Sequence, residues 1–545
     1  PRLSLQWFID INPLAEKATH AVKTGATEFY PKRWENLFFD WMEKIEDWCI
    51  SRQLWWGHQI PAWYCVGDDH CKLECKEPIV AVEKPDACPH CGCKNLKQDS
   101  DVLDTWFSSA LWPFSTLLPK EPVEIDKAWQ EGEVPTSAIL DNFYPTSTLV
   151  TGFDIIFFWV SRMLMMGMHF MKKAPFKKVF IHSLVRDANR QKMSKSKGNV
   201  VNPLEKMDEY GTDAFRFFII SIMPDGKDII YDESRLKGYQ AFCNKIWNTA
   251  RYILMNTPES YAIPKDVPTL SAVDVYVLEE LNAAIEKCEK AIQNFHFAEY
   301  ALTIYDFLWK TFCDQYIEMS KVALKSTAMK EGALYTLYTV FAAALKILHP
   351  VMPFITEELH SFLPDAKESD LLVVSSWPKV DGEIRKVAHK TQASTQALLA
   401  IVAKIRQVRA ELSVEPGAKI TAYLTLADTT LVAFIQEHLA FLQSLARLGD
   451  IHFAVPEAKM IRAVIKEGDV YLDLAASIDI EREKARIEKE IQTLEKGRMT
   501  SESKLASPQF AERAPKELVD AEKGKVAEYN TRLDALAQML NSLKG

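Results

Sequence analysis

Two short runs of apolar and β-branched residues place the strongest constraint on how this chain can fold. The runs are Ser147–Thr151 (STLVT) and Lys178–His182 (KVFIH), and a helix-forming stretch separates them. From Ser51 to about Tyr231, short apolar stretches and helical ones continue to alternate. This alternation is typical of an α/β fold. The pattern therefore predicts that both runs are buried parallel strands.

The length, composition and charge exclude several classes of protein. With 545 residues, of which 48% are hydrophobic, the chain is too long for one core and predicts roughly three to five domains. The net charge of −9 means that any nucleic-acid site must be a local basic patch. The longest apolar run, Ile155–Met171, contains Ser161 and Arg162 and falls short of the roughly 18 to 20 residues of a membrane span. We expect a soluble, cytoplasmic protein without a membrane-spanning segment.

The first part of the chain divides by composition into two segments, and the second of them contains an insertion. Residues 1–50 are rich in aromatic residues and predict the tail of a preceding domain, followed by a helix over Trp34–Cys49. Residues 51–235 form the α/β segment, which is interrupted by a Cys-rich insertion at residues 62–100.

The middle of the chain changes character twice. Residues 236–378 are helical in pattern, with apolar residues at three- and four-residue spacing. Residues 379–472 predict a small mixed α/β unit, in which Leu398–Leu412 is a helix and Ile420–Leu426 and Val470–Leu474 are strands.

Residues 473–545 carry two apolar stripes at helical spacing. Because Pro508 and Pro515 forbid one continuous helix, the pattern predicts two helices joined by a turn, as an antiparallel coiled-coil hairpin. The alternative is two helices packed on the body of the protein. The stripe residues are Ile480, Ile487, Ile491 and Leu494, and then Tyr529, Leu533, Leu536, Leu540 and Leu543.

A basic loop directly follows the second predicted strand. We call Lys192–Ser196 (KMSKS) the Lys-rich loop, and Arg186, Arg190 and Lys197 bring the cations of this region to five. Mobile cations that close on a group as its negative charge increases stabilise a transition state more than the ground state. The alternative is an ordinary solvated basic loop.

The Lys-rich loop also carries a family resemblance. Together with Val200–Pro203 and Tyr210–Arg216 it resembles the loop that defines the class I aminoacyl-tRNA synthetases. The resemblance implies that residues 51–235 are the second half of a Rossmann-type catalytic domain, with the loop region at 186–199. It also implies that Lys192 and Lys195 are catalytic. The ATP-binding residues would be Lys192, Met193, Ser194, Lys195 and Ser196.

Two further segments resemble the subgroup for valine, isoleucine and leucine: Ser51–Pro61 (SRQLWWGHQIP) and Gly152–Trp159 (GFDIIFFW). By this resemblance Asp154, after a strand, holds the α-ammonium of the amino acid. The aliphatic pocket would be walled by Trp56, Ile155 and Trp159. The alternative is that the tryptophans are core residues and Asp154 a helix N-cap.

Within this subgroup the sequence resembles the valine enzymes. Ile155–Phe158 is apolar, Asp101–Trp112 has the valine pattern, and no Cys pair follows Cys313. The resemblance implies ATP-dependent activation of valine, with Mg²⁺, and transfer to the 3′ end of tRNA(Val) by a monomer. Residues 236–378 would bind the anticodon, and residues 473–545 would form a tRNA-binding arm. The alternatives are an isoleucine enzyme and a non-catalytic RNA-binding module.

Six of the ten cysteines lie between Cys65 and Cys93, which favours a metal site over disulfides. Cys88-Pro-His-Cys91-Gly has the pattern of a zinc knuckle. A second pair must come from Cys65, Cys71 and Cys75, and the resemblance favours Cys65 and Cys75 over Cys71. Four thiolates leave no open position, so this zinc would be structural. The alternative is a set of spare thiols without metal.

The resemblance also implies parts that this sequence does not contain. Class I enzymes have a His-x-Gly-His loop, and none occurs before Arg52, since His20 and His58 have other neighbours. Residues 1–50 would be the exit from an editing and connective region. We expect a carboxy-terminal fragment that binds tRNA but does not form valyl-adenylate on its own.

Overall fold

The computed structural model describes residues 5–67, 75, 77–119, 122–223, 228–364, 366–367, 369–457, 460–474, 480–507, 510 and 516–544. Only the backbone is described at residues 122–124, 126, 195, 480–483, 516–517, 535, 538–539 and 541–544. The chain forms two compact units. The first consists of Pro1–Asn202, Ser221–Glu233 and Gln293–Ala298, and the second of Pro203–Ile220, Ser234–Ile292 and Glu299–Gly545.

The first unit has short strands and six helices among its described residues. Its strands are β1 (Phe8–Ile9), β2 (Glu28–Tyr30), β3 (Trp48–Cys49), β4 (Ser51–Arg52), β5 (Ala62–Cys65), β6 (Ile79–Val80), β7 (Leu96–Gln98), β8 (Val102–Leu103), β9 (Thr146–Gly152), β10 (Phe176–His182), β11 (Val185–Arg186) and β12 (Ile229–Ile230). Its helices are α1 (Asn12–Lys23), α2 (Arg33–Glu43), α3 (Thr105–Ser115), α4 (Pro122–Gln130), α5 (Ala138–Phe143) and α6 (Ser161–Phe170).

A parallel sheet with the order β2-β10-β9 lies at the centre of the first unit. In its register Phe176 pairs with Thr146 and His182 with Gly152, so β9 and β10 end side by side. The prediction of two parallel strands is confirmed. The prediction that both are buried is wrong for β9, because Val150 is 57% exposed. Helices α1 and α6 pack against the sheet and share one apolar core with it.

The helix predicted over Trp34–Cys49 is shorter in the structure. Helix α2 ends at Glu43, and Trp48–Cys49 forms β3, which pairs with β1. The cause is tertiary: the indole of Trp48 is 5% exposed and its Nε1 donates to Asp104 Oδ2 at 3.0 Å. Burial of this side chain outweighs the local preference to continue the helix.

Two helical segments are long and apolar enough to cross a membrane: Phe153–Phe170 and Lys330–Leu348. The prediction that no run reaches this length is therefore wrong by this criterion. In the most apolar 18 residues of each segment, 50% of the residues are buried for Phe153–Phe170 and 67% for Lys330–Leu348. Core helices of soluble proteins meet the same criterion, so the finding is weak evidence for a membrane span.

The second unit is mainly helical. Helices that lie wholly or mainly in it are α7 (Pro203–Tyr210), α8 (Thr212–Ser221), α9 (Glu233–Met255), α10 (Ala272–Gln293), α11 (Phe297–Asp306), α12 (Ile317–Ala323), α13 (Lys330–Leu348), α14 (Pro353–Ser361), α15 (Gly382–Ala388), α16 (Gln392–Glu411), α17 (Thr429–Glu437), α18 (Leu439–Ala446), α19 (Ile480–Ala506) and α20 (Lys516–Lys544). Its strands are β13 (Ile420–Leu426), β14 (Leu448–His452), β15 (Ile461–Ile465) and β16 (Gly468–Asp473).

The predicted helical segment and the small α/β unit both appear in the second unit. Phe341, Leu345 and Leu348 on α13 are at most 1% exposed, as their helical spacing predicts. The four strands form a mixed sheet in the order β14-β13-β16-β15, with β14 parallel to β13. Strand β13 has the predicted bounds, and helix α16 begins six residues before the predicted helix, at Gln392.

Helices α19 and α20 pack against each other in antiparallel orientation, as the pairs Arg532–Glu490 and Ser501–Glu522 show. From the predicted stripes, Ile487 is fully buried and Leu536 is 7% exposed, and both belong to the core of the second unit. The hairpin is therefore packed on the small α/β unit at its base. The side chains of Ile480 and Leu543 lie outside the description.

Candidate active site and metal centre

The Lys-rich loop begins near the carboxyl end of the central sheet. Strand β10 ends at His182, and β11 follows it and pairs in parallel with β12. Arg186 on β11 forms an ion pair with Asp228 and a backbone bridge with Lys192. The loop is thus attached to the separate two-stranded sheet of β11 and β12, which follows the carboxyl end of β10 in the chain.

The cations of the loop region differ in their surroundings. Lys192 is exposed, and no ion pair of its ammonium is found in the described part of the chain. Arg186 is neutralised by Asp228. Of Lys195 only the backbone is described, in a short 3-10 turn, so its side chain lies outside the described residues. Lys192 is therefore free to meet an anion.

The other predicted ATP-binding residues line the same turn. Met193 and Ser194 are half-buried, whereas Ser196 is exposed. The hydroxyl oxygens of Ser194 and Ser196 lie 3.2 Å apart. The N–H of Lys197 donates to the carbonyl of Ser194 at 3.2 Å, which closes the turn.

Asp154 is exposed in a 3-10 turn directly after β9. A Cβ atom at Gly152 would lie 2.7 Å from Asp154 Oδ1 and 3.6 Å from His182 Cε1. The carboxylate and the imidazole are thus neighbours at the paired carboxyl ends of β9 and β10. The absence of a side chain at Gly152 leaves the room in which the carboxylate lies. An ammonium group can reach Asp154 from solvent.

The two tryptophans of the predicted pocket differ in their surroundings. Trp56 is 86% exposed, so it packs on little of the described chain. Trp159 lines a groove of about 700 Å³ together with Thr146 and Leu149, at the amino end of β9. Ile155, which follows Asp154, is half-buried. Asp154 and Ile155 are neighbours along the chain, and neither of them lines the groove of Trp159.

A buried ion network below the site was not identified from the sequence. Asp104 Oδ2 lies 3.0 Å from Arg52 Nη2 and 3.3 Å from Arg162 Nη1. The guanidinium of Arg162 also stacks on the ring of Trp48 at 3.9 Å. Burial lowers the pKa of Arg162 to about 10, although the charge of Asp104 opposes this shift. The network joins Arg52 of the segment Ser51–Pro61 to Asp104 of the segment Asp101–Trp112 and to Arg162, which lies three residues after the segment Gly152–Trp159.

Four cysteines of the insertion converge on one point. The sulfurs of Cys65, Cys75, Cys88 and Cys91 all lie within 4.8 Å of one another, and we call them the cysteine cluster. Around one zinc, with bonds of about 2.3 Å, neighbouring sulfurs lie about 3.8 Å apart. The separation of 3.7 Å between the sulfurs of Cys65 and Cys91 fits this arrangement. Cys71, the alternative ligand, lies outside the described residues.

The surroundings of Cys88 favour a thiolate, whereas a hydrogen bond with Cys91 raises the pKa of Cys75 to about 12. Desolvation opposes ionisation of Cys88, but backbone hydrogen bonds from His90 and Cys91 outweigh it and lower the pKa of Cys88 to about 7. Gly92 has φ +74 and donates to the carbonyl of Cys88 at 2.8 Å, so glycine permits the tight turn. The donor set, four thiols in a small insertion, suits a structural zinc ion.

Comparisons with known proteins cover most of the chain. The model of the tRNA synthetases class I (I, L, M and V) matches residues 1–232, and that of the anticodon-binding domain of tRNA ligase matches residues 274–424. The model of the valyl tRNA synthetase tRNA binding arm matches residues 479–544. These matches confirm the predicted resemblance to class I synthetases.

Individual relatives point to the same group. Valine--tRNA ligases of Geobacter sulfurreducens, Syntrophotalea carbinolica and Thermotoga maritima are 43%, 41% and 41% identical to this chain over its whole length. The chain spans 59% to 60% of the length of these relatives. A LeuRS–tRNA–LeuAMS complex from Agrobacterium radiobacter K84 covers 74% of this chain and 49% of its own at 18% identity, and its TM-score of 0.48 assigns no fold. The sequence matches therefore confirm the resemblance of this chain to the valyl-tRNA synthetases among the class I aminoacyl-tRNA synthetases.

Proposed function

We propose that this chain supplies the second half of the active site and the tRNA-binding parts of a valine–tRNA ligase. The observation that carries the proposal is the position of the Lys-rich loop, with an exposed Lys192, near the carboxyl end of the sheet that presents Asp154. A carboxylate for an ammonium then follows β9, and a cation for phosphate lies in the loop that comes after the paired strand β10. These are the two charges that ATP and an amino acid require.

In the first step, a carboxylate oxygen of valine attacks the α-phosphorus of ATP, which binds as its magnesium complex. The bond from this phosphorus to the bridging oxygen breaks, and pyrophosphate leaves with the electron pair. Lys192 and Lys195 stabilise the charge that builds on the pyrophosphate, and Met193, Ser194 and Ser196 shape the loop around it. In the second step, a hydroxyl at the 3′ end of tRNA(Val) attacks the carbonyl carbon and AMP leaves.

Asp154 orients valine for this attack through its α-ammonium. Its exposure after β9 and the space left by Gly152 support this role. Ile155 adjoins Asp154 and contributes an apolar wall. Trp56 and Trp159 complete the wall in our proposal, and this requires that both indoles turn toward Asp154 when valine binds. Weak discrimination against threonine is expected of such a pocket, because it is apolar.

We further propose that the cysteine cluster binds one structural zinc ion. Cys65, Cys75, Cys88 and Cys91 would hold it as thiolates, and the bound ion would fix the fold of the insertion between β5 and β8. No step of the reaction passes through this ion. A reducing compartment such as the cytoplasm suits this site and the buried thiol of Cys93, which forms no disulfide.

The test of the reaction is valine-dependent exchange of labelled pyrophosphate into ATP. Because the relatives are longer than this chain, the assay uses a polypeptide that carries this chain as the carboxyl part of a valine–tRNA ligase. Lys192→Ala should lower kcat by about 10²- to 10³-fold, the range for loss of one charge-stabilising donor. Lys173→Ala, an exposed lysine after α6, is the control and should keep wild-type exchange. Equal exchange by the two variants would contradict the proposal.

A further inference from the structure

The Lys-rich loop is held by two side chains that lie on either side of it in the sequence, Asp187 and Asn199. We propose that these two residues form a clasp that fixes the backbone of the loop, and that both are positioning residues for formation of the adenylate. The inference rests on the proposed function for its consequence in catalysis. The clasp itself rests on the contacts in this structure.

Asp187 stabilises the turn that precedes the Lys-rich loop. Its Oδ1 accepts the N–H of Asn189 at 3.0 Å and that of Gln191 at 2.7 Å. The N–H of Asp187 donates to the carbonyl of Gln191 at 3.1 Å. One carboxylate oxygen is thus committed to this turn, and Oδ2 remains for a partner across the loop. The hydrogen bond from Asn199 to this carboxylate is the largest of the causes that lower the pKa of Asp187.

Asn199 makes the connection across the loop with both ends of its amide. Its Nδ2 donates to Asp187 Oδ2 at 2.8 Å and to the carbonyl of Lys192 at 3.3 Å. Its Oδ1 accepts the N–H of Ser194 at 2.9 Å. A rotated amide would set donor against donor at Ser194, so these three contacts define one orientation of the side chain.

Asn199 contacts the backbone of Lys192 and Ser194, two residues of the predicted ATP-binding set. The clasp grips the backbone at Lys192 and Ser194, so the side chains of Lys192 and Met193 leave from a fixed backbone. Lys192 is exposed, so its ammonium can move while its Cα is held. Because the Cα of Lys192 is already held in place, the lysine loses less conformational entropy when its ammonium binds the pyrophosphate. Without the clasp, the loop would have to order itself during the reaction.

An exchange of the two side chains tests this geometry. Asp187→Asn alone sets an amide N–H against that of Asn199, and Asn199→Asp alone sets two carboxylates against each other. In the double variant, the amide at position 187 still accepts from Asn189 and Gln191 and donates to the carboxylate at position 199. That carboxylate still accepts from Ser194. The 3.3 Å hydrogen bond with the carbonyl of Lys192 is lost, and two oxygen acceptors face each other at this one point.

The first readout is amide hydrogen exchange of Ser194 in the chain of 545 residues, which needs no enzymatic activity. Each single variant should exchange about tenfold faster or more than the wild type, since a charge-assisted hydrogen bond is broken. The double variant should return to within about threefold of the wild type by the same reasoning. Asp187→Asn combined with Asn189→Asp is the matched control, because it restores the net charge without the clasp. In this control, the amide exchange of Ser194 should remain as fast as in the single variant Asp187→Asn.

The second readout is pyrophosphate exchange by the longer polypeptide described above. Each single variant should lose about 10- to 100-fold in kcat, with little change in the KM for valine, because the loop acts on the transition state. The double variant should recover kcat and the control should not. A loss confined to KM would mean that the clasp only supports binding, and it would overturn the positioning role.

The two readouts separate the clasp from the function of the site. Equal amide exchange in the wild type and the single variants, or recovery of the charge-matched control, would overturn the clasp. If the double variant restores amide exchange but even the wild type shows no valine-dependent pyrophosphate exchange, the clasp stands and the proposed function fails. If the double variant restores both the slow amide exchange of Ser194 and the pyrophosphate exchange, the result supports the clasp and the proposed function.

Discussion

Asp104 Oδ2 and Arg162 Nη1 lie 3.3 Å apart, and the two side chains are 6% and 10% exposed. A carboxylate at this depth is tolerated because it is paired: Arg52 and Trp48 donate to the same oxygen at 3.0 Å. The pair also connects the turn before α3 to the start of α6. It therefore fixes the segment that follows Asp154.

Asp104→Ala should destabilise the first unit by about 3 to 5 kcal/mol, because it leaves the guanidinium of Arg162 buried without its partner. The measurement is urea unfolding followed by tryptophan fluorescence, together with amide exchange of β8. Asp141→Ala, at an exposed position of α5, is the control and should stay within about 0.5 kcal/mol of the wild type. A loss as small as that of the control would mean that Asp104 is not the anchor of this network.

Gly152→Ala should weaken valine binding without unfolding the sheet. The new Cβ would lie 2.7 Å from Asp154 Oδ1, and the carboxylate must move away from it. The φ of Gly152 is −80, so alanine brings no backbone strain there. We expect the KM for valine in pyrophosphate exchange to rise about tenfold, which corresponds to about 1.4 kcal/mol. Gly238→Ala, where nothing lies within 4 Å, should leave the KM unchanged.

Cys75→Ala should abolish tight zinc binding by the insertion. Three remaining sulfurs leave one position of the tetrahedron open, so bound zinc should fall from about one per chain toward zero after dialysis against a chelator. Elemental analysis measures it. Cys93→Ala is the matched control, since Cys93 is a buried cysteine of the same insertion outside the cysteine cluster. Zinc retained by Cys75→Ala but lost from Cys93→Ala would contradict the assigned ligands.

Two glycines of the hairpin should respond to alanine in opposite directions. At Gly497 a Cβ would lie 3.0 Å from the ring of Tyr529 on the facing helix, whereas at Gly524 nothing lies within 4 Å. Alanine raises helix stability by about 0.5 to 1 kcal/mol where there is room. We expect Gly524→Ala to slow amide exchange in α19 and α20, and Gly497→Ala to accelerate it. Slower exchange in both variants would mean that the helices are not packed at this point.

The sequence predicted the local features of this protein better than its long-range contacts. The bounds of β13 and the burial of Leu345 follow from side-chain periodicity, which acts within a few residues. The ion pair of Asp104 with Arg162 joins two residues that are 58 positions apart in the sequence, and no pattern in either segment predicts it. The end of α2 was missed for the same reason, because Trp48 leaves the helix for a partner 56 residues away.

The candidate site shows the same division. Cys65 and Cys75 were chosen from their neighbours along the chain, and the structure places both sulfurs in the cysteine cluster. The order of the strands brings Asp154 and His182 together, and sequence reasoning placed only the aspartate. The clasp of Asp187 and Asn199 was missed because it depends on amide orientation, which only the folded loop defines.

The most direct test of the account is binding of this chain to valine and isoleucine tRNA transcripts by fluorescence anisotropy. Salt near 0.15 M damps nonspecific attraction to phosphate, so the difference between the transcripts reports identity. We predict that the valine tRNA binds at least about tenfold more tightly, a difference of about 1.4 kcal/mol. Equal binding of the two transcripts, or preference for the isoleucine tRNA, would contradict the assignment of this chain to a valine–tRNA ligase.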